Sequence, residues 1–214
     1  MTGKLVAWLA LVGTLAALNF SERFLQGKPS RESLYHYSVA VGGLVFYALF
    51  LGLLLLIARG LSREQLGARR PVSWVQALLL TAGLFIVVLV AEIALEHILH
   101  ATREQGLEPP HWEPTKAVPF ALNAAVLVLV DPFVEELTFR GVGFGLLRRY
   151  GALVAIVGTA VVFSAAHGLL AAFPALLIFG LAAGLLRWQT KSVYPGMLFH
   201  ACFNGAALGL AFVR

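Results

Sequence analysis

Apolar residues fill seven blocks of the chain, at about residues 5–20, 35–58, 73–96, 118–148, 151–168, 171–188 and 193–213. Most of the Lys, Arg, Glu and Pro residues gather between these blocks. A helix needs about 20 mainly apolar residues to cross the hydrocarbon core of a bilayer. The pattern therefore predicts an all-α fold, a polytopic membrane bundle of about seven transmembrane helices formed as one domain over residues 1–214. The first block, KLVAWLALVGTLAALNF, is short and follows a single lysine, so a cleaved signal peptide competes with a retained helix. No small-x-small cleavage pattern follows it, which favours the retained helix. The connections at about 21–34 and 97–117 carry Pro, Glu, Arg and Lys and read as solvated loops, and no repeat interrupts the order.

Composition makes the membrane assignment firm. The 214 residues are 59% hydrophobic and 13% charged, with a mean hydropathy of +0.84, whereas soluble domains carry about 25% charged residues. The formal charge is +5, but the basic residues are scattered between apolar blocks. They read as topology signals, with the lipid bilayer and not nucleic acid as the partner. Lys4, Arg59, Arg63, Arg69, Arg70, Arg148, Arg149, Arg187 and Lys191 fall on the side of the N-terminus, against Arg23, Lys28, Arg31, Arg103, Lys116 and Arg214 on the other. The second side also collects Glu22, Glu32, Glu104, Glu108 and Glu113, so the N-terminus is expected in the cytoplasm of a cell membrane protein. Cys202 is the single cysteine and excludes an internal disulfide.

One apolar block is broken by VDPFVEELTFR, which places Asp131, Glu135, Glu136 and Arg140 inside a span. Each such residue costs about 2.5 to 3.5 kcal/mol at a helix centre, so the cluster must face the bundle interior. Glu136 and Arg140 are one helical step of four apart, the favourable order for an ion pair. Glu135 lies about 100° round the helix and shares its face with Asp131. The chain turns back near Gly151, so an antiparallel hairpin brings Glu135 level with His167. His200 and Asn204 repeat the four-residue step on the last block. The block at 118–148 is longer than the bilayer core. If its excess protrudes on the cytoplasmic side, Glu135, His167 and His200 are expected about two turns below that surface.

Glu135-Glu136-x-x-x-Arg140, Phe163-x-x-x-His167 and His200-x-x-x-Asn204 resemble the three motifs of the CPBP family, the CAAX prenyl endopeptidases and bacteriocin-processing enzymes also called Abi proteins. The resemblance spans about residues 115–210 and includes Phe139-Arg140-Gly141, Ala166-His167-Gly168 and Pro195. It implies an intramembrane endopeptidase whose substrate is a membrane-associated peptide or protein. It implies that Glu135 and His167 act on the attacking water, that His200 and Asn204 form an oxyanion site, and that Glu136 and Arg140 position them. Asp131 departs from the family pattern, which more often has a small or uncharged residue there. It is expected to raise the pKa of Glu135 or to line the substrate path.

The residues themselves carry the same chemistry. Peptide hydrolysis needs a base for water, an acid for the leaving amine and donors for the oxyanion. No cofactor is required by this set, but Glu135, His167 and His200 also make a zinc-type ligand set, so a divalent metal stays open. Other protease chemistries fit poorly. Asp131 is the only aspartate, no Gly-x-Ser-x-Gly elbow occurs, and Cys202 is two residues from His200, on another face. Glu92, Glu96, His97 and His100 read as a solvated helix end and not as a metal site. His111 and Trp112 read as interface residues, and Arg69-Arg70-Pro71 as a headgroup anchor. The pairs Gly180/Gly184 and Gly205/Gly209 read as packing positions inside the bundle. Two rival functions use the same acids: a non-catalytic scaffold with this fold, and a transporter or proton relay. The missing internal repeat disfavours the latter.

Overall fold

A computed structural model describes residues 1–26, 32–99, 104 and 112–211. Within them the principal helices are α1 (Thr2–Gln26), α2 (Tyr37–Ala58), α3 (Arg63–Leu66), α4 (Trp74–Leu99), α5 (Pro114–Tyr150), α6 (Ala152–Ala166), α7 (Phe173–Thr190) and α8 (Tyr194–Ala211). Five of them, α1, α2, α4, α5 and α7, are long and apolar enough to cross a membrane. The protein is thus an integral membrane helical bundle. All seven apolar blocks are helical, but α6 has only 15 residues and α8 carries His200 and Asn204. Lys28, Arg31, His100, Arg103, Glu108, His111 and Arg214 lie outside the described residues.

The helices pack where side chains are small or aromatic. A Cβ added at Gly180 of α7 would sit 2.9 Å from the Ala160 Cα of α6, and one at Gly184 would sit 3.2 Å from Ile156. The first small-residue pair therefore serves close packing within the bundle, where dispersion between backbones drives association. The core is aromatic: Phe163 stacks on Phe179 at 5.6 Å, Phe179 on Phe199 at 4.8 Å, and Phe139 meets Phe163 edge-on at 5.2 Å. Helix α1 reaches this core through Trp8 and Val12. Trp8 is 0% exposed and its indole N–H donates to the Thr138 carbonyl over 3.0 Å. Gly143 makes room for the ring, since a Cβ there would stand 2.3 Å from Trp8.

The face at the ends of α2, α5 and α7 is closed by α3. Ser62 and Gln65 cap it reciprocally, and Gly67 terminates it with φ 64°, a left-handed conformation that glycine adopts without a Cβ clash. The Val193 N–H donates to the Gly67 carbonyl over 3.0 Å, and Ser192 and Val193 are fully buried. The start of α8 is therefore sunk into the bundle under α3, and His200 is carried deeper than its place in the sequence indicates.

His167 follows directly on the last residue of α6, and α6 begins beside Arg148 and Arg149. At about 1.5 Å per residue it lies roughly 22 Å along the helix from that face. His167 thus sits at the opposite end of α6, beside Gly168–Ala172.

Trp8→Ala removes both the buried indole and its hydrogen bond, so it should cost about 3 to 5 kcal/mol. Leu9→Ala, at a 45% exposed position of the same helix, should change stability little. Unfolding of the purified protein in mixed micelles measures both, and equal losses would show that α1 is not docked through Trp8.

Candidate active site

The polar residues of the span α5 are held by an irregular helix. Val126–Val130 and Leu137–Gly143 are wound as π-helix on either side of the α-helical turn Asp131–Glu136. Such wide turns occur mostly as local insertions and frequently at functional sites. Pro132 explains the first of them in part. In π-type pairing the carbonyl of Leu127 would meet the N–H of residue 132, and proline has none. Asn204 of α8 fills the place, its Nδ2 donating to the Leu127 oxygen over 2.9 Å. Within a bundle every such carbonyl needs a donor, because lipid supplies none. Asn204 therefore ties the third motif to the first, and its second amide hydrogen is left for the cavity that it lines.

Glu136 and Arg140 form the expected ion pair, 2.9 Å between Oε1 and Nη1, with both side chains 0% exposed. Arg140 also donates to the Gly180 carbonyl over 3.0 Å, and its guanidinium lies 4.5 Å from the centre of the Phe163 ring. Gly196 lets α8 pass close to Glu136, since a Cβ there would be 2.7 Å from Oε2. His200 Nδ1 approaches Glu136 Oε1 at 3.3 Å.

Glu135 is met by two imidazoles. His167 Nε2 stands 3.9 Å from Oε1 and His200 Nε2 stands 3.9 Å from Oε2. Both rings have their other nitrogen engaged: His167 Nδ1 with the Phe163 carbonyl at 2.8 Å, and His200 Nδ1 with Glu136. A carbonyl can only accept, so His167 carries a proton on Nδ1 and turns its Nε2 toward Glu135. Glu135 Oε2 is buried without a hydrogen-bond partner among the described residues.

Two cavities flank His167. One of about 170 Å³ is lined by Asp131, His167, His200 and Asn204, and one of about 130 Å³ by Tyr47, Glu135 and His167. Asp131 therefore faces a cavity, and its Oδ1 accepts from the Tyr47 hydroxyl over 2.5 Å.

Three residues at these cavities escaped the sequence reading. Tyr47 lies in the most uniformly apolar block, with no periodic signal to single it out. Arg23 and Glu92 line the larger cavity. Glu92 is not part of a solvated helix end: α4 continues to Leu99, so Glu92 sits about two turns inside it. Asn19 of α1 donates to the Ala166 carbonyl over 2.7 Å. Gly168, at φ 66°, leaves the passage for α1, since its Cβ would lie 2.8 Å from Asn19 backbone.

Glu135, His167 and His200 have the donor types of a divalent-metal site. Among the described residues, however, no group of three or more His, Cys, Asp or Glu side chains is spaced to hold a metal ion.

Residues 117–206 match the family model described as type II CAAX prenyl endopeptidase, Rce1-like. This segment is similar to the CAAX prenyl endopeptidase family. No curated protein and no solved structure matches the chain. The matched segment runs from the start of α5 through Asn204 and so contains all three motifs. Trp8, Asn19, Arg23, Tyr47 and Glu92, which buttress or line the family's segment, come from helices outside it.

Two substitutions test this geometry. Asn204→Ala strips the Leu127 carbonyl of its donor and should lower the unfolding free energy by about 1 to 3 kcal/mol. In a Pro132→Ala background residue 132 regains an N–H and the loss should shrink; equal losses in both backgrounds would show that Asn204 does not replace that donor. Glu136→Ala strands the buried Arg140 and should cost about 3 to 5 kcal/mol, read as a fall in thermal stability.

Proposed function

We propose that the protein is an intramembrane endopeptidase that cleaves a membrane-associated peptide or protein with water activated between Glu135 and His167. The observation that carries this reading is the approach of both Nε2 atoms to the two oxygens of Glu135 at 3.9 Å. That spacing is too long for direct hydrogen bonds and suits one water molecule held between carboxylate and imidazole.

In this reading Glu135 takes a proton from water as its oxygen bonds to the scissile carbonyl carbon. The carbonyl oxygen becomes an oxyanion facing His200 and Asn204. His200 turns its Nε2 toward it, with Glu136 against its Nδ1, and Asn204 donates its remaining amide hydrogen. Collapse breaks the C–N bond, and the proton on Glu135 passes to the leaving amine, directly or through His167. Glu136 and Arg140 position His200, and Asp131 with Tyr47 borders the path by which water and substrate reach the site. A divalent metal such as zinc is the alternative activator. Its ligands would be Glu135, His167 and His200, which would have to draw together to hold it.

We place the protein in a cell membrane with its N-terminal face in the cytoplasm, on the Lys and Arg bias. The larger cavity then lies toward the other side, next to Leu169. Substrate arrives from there or laterally between helices.

Glu135→Gln and His167→Ala should each abolish cleavage of a peptide library while the protein keeps its melting temperature; near-normal turnover by either refutes the water site. If even the unaltered protein cleaves nothing, the scaffold reading stands in its place. Loss of activity with a chelator, restored by one divalent ion, would transfer water activation from Glu135 to a metal.

A second test concerns orientation. In a Cys202→Ser background, Leu170→Cys should react with an impermeant thiol reagent from outside the cell and Arg149→Cys only from the cytoplasm. The reverse pattern would invert the assigned topology.

A further inference from the structure

At the face opposite the polar cluster, α3, the end of α5 and the turn after α7 enclose a cavity of about 290 Å³. Its lining includes Arg69, Arg148, Arg187 and Lys191. Glu64 is the one carboxylate among the described lining residues, and it is already paired with Arg69 at 3.2 Å. Arg187 is only 5% exposed, yet its hydrogen bonds go to main-chain oxygens. Nε donates to Arg140 over 3.1 Å, and Nη2 donates to Glu64 over 3.3 Å and to Gln65 over 3.2 Å. Its planar group lies 5.0 Å from the centre of the Phe144 ring. Positive charge is thus concentrated in a concave site with less than its complement of negative charge.

Lys191 adds a second, independent observation. It is the one non-glycine residue with positive φ, 57°, among the described residues. It closes α7 in the left-handed conformation that glycine ordinarily supplies, and a strained backbone of this kind persists where a side chain is needed. The ammonium lies 5.1 Å from the centre of the Trp188 ring. Burial, then Arg148, Arg187 and Arg69 around it, hold this amine below the ordinary lysine range.

We propose that this cavity binds the phosphate of an anionic lipid headgroup. It lies where spanning helices end, at the depth of the headgroups, where basic pockets between helices meet anionic lipids. A phosphodiester offers several oxygens to donors that converge from three segments. Trp188 supplies the aromatic surface that is enriched at the membrane interface. Through Arg187 the cavity is one hydrogen bond from the Arg140 carbonyl, so a bound headgroup would steady the π-wound turn that carries Arg140.

The test uses the full chain in nanodiscs of phosphatidylglycerol or phosphatidylcholine, with the retained lipid counted by native mass spectrometry. Phosphatidylglycerol should be retained at least about tenfold more than phosphatidylcholine, in line with the preference of juxtamembrane basic clusters for anionic lipid. Lys191→Gly combined with Arg148→Ala should erase that preference without lowering the melting temperature, because glycine accepts the φ of residue 191. Equal retention of both lipids, or undiminished preference in the double variant, overturns the proposal. Millimolar inorganic phosphate should leave the lipid bound; displacement by it assigns the cavity to a soluble phosphate instead and also overturns the lipid assignment. Glu135→Gln should retain phosphatidylglycerol as the unaltered chain does, which separates this site from the proposed catalytic one.

Discussion

The fully buried pair of Glu136 and Arg140 fixes the relation of four helices. In lipid neither charge has water to fall back on, so each must find its partners within the protein. Arg140 reaches α7 through the Gly180 carbonyl and α6 through the Phe163 ring. Glu136 reaches α8 through His200 Nδ1. The pair has a structural part of its own, and it also orients the imidazole that faces Glu135. Removing either partner would leave an uncompensated charge in the bundle, which is a stronger constraint on packing than the pair's net contribution to stability.

Helix irregularity does the remaining positioning. Two π-wound segments bracket the turn that carries Asp131, Glu135 and Glu136, and each exposes a backbone carbonyl to a side chain of another helix. Leu127 receives Asn204, and Arg140 receives Arg187. An ideal helix would bond those carbonyls within itself and offer nothing to its neighbours. The unusual winding thus converts backbone groups of α5 into attachment points for α7 and α8, and locks the register in which Glu135 lies between two histidines.

The N-terminal helices complete what the family segment leaves open. Trp8 fills the groove above Gly143, Asn19 and Gly168 interlock at the end of α6, and Tyr47 donates to Asp131. The partner of Asp131 comes from outside residues 117–206. The environment of that carboxylate is therefore a property of this chain's own N-terminal helices.

The helical blocks, the interior direction of the ionisable cluster, the Glu136–Arg140 pair and the level meeting of Glu135 with His167 were legible in the sequence, though among the described residues only five of the seven expected spans are long and apolar enough to cross a membrane. They follow from local rules: apolar length, the cost of charge in lipid, the four-residue helical step and the geometry of a tight hairpin. The same rules did not reach Tyr47, Arg23 or Glu92, whose roles depend on which helices become neighbours. Nor do they give the height at which helices meet, which depends on where each helix begins relative to the others. Only the tertiary structure shows α6 ending inside the bundle and α8 starting beneath α3. Composition determines that a segment is buried in lipid, but the height at which two helices meet is decided by the contacts that sink or raise their ends.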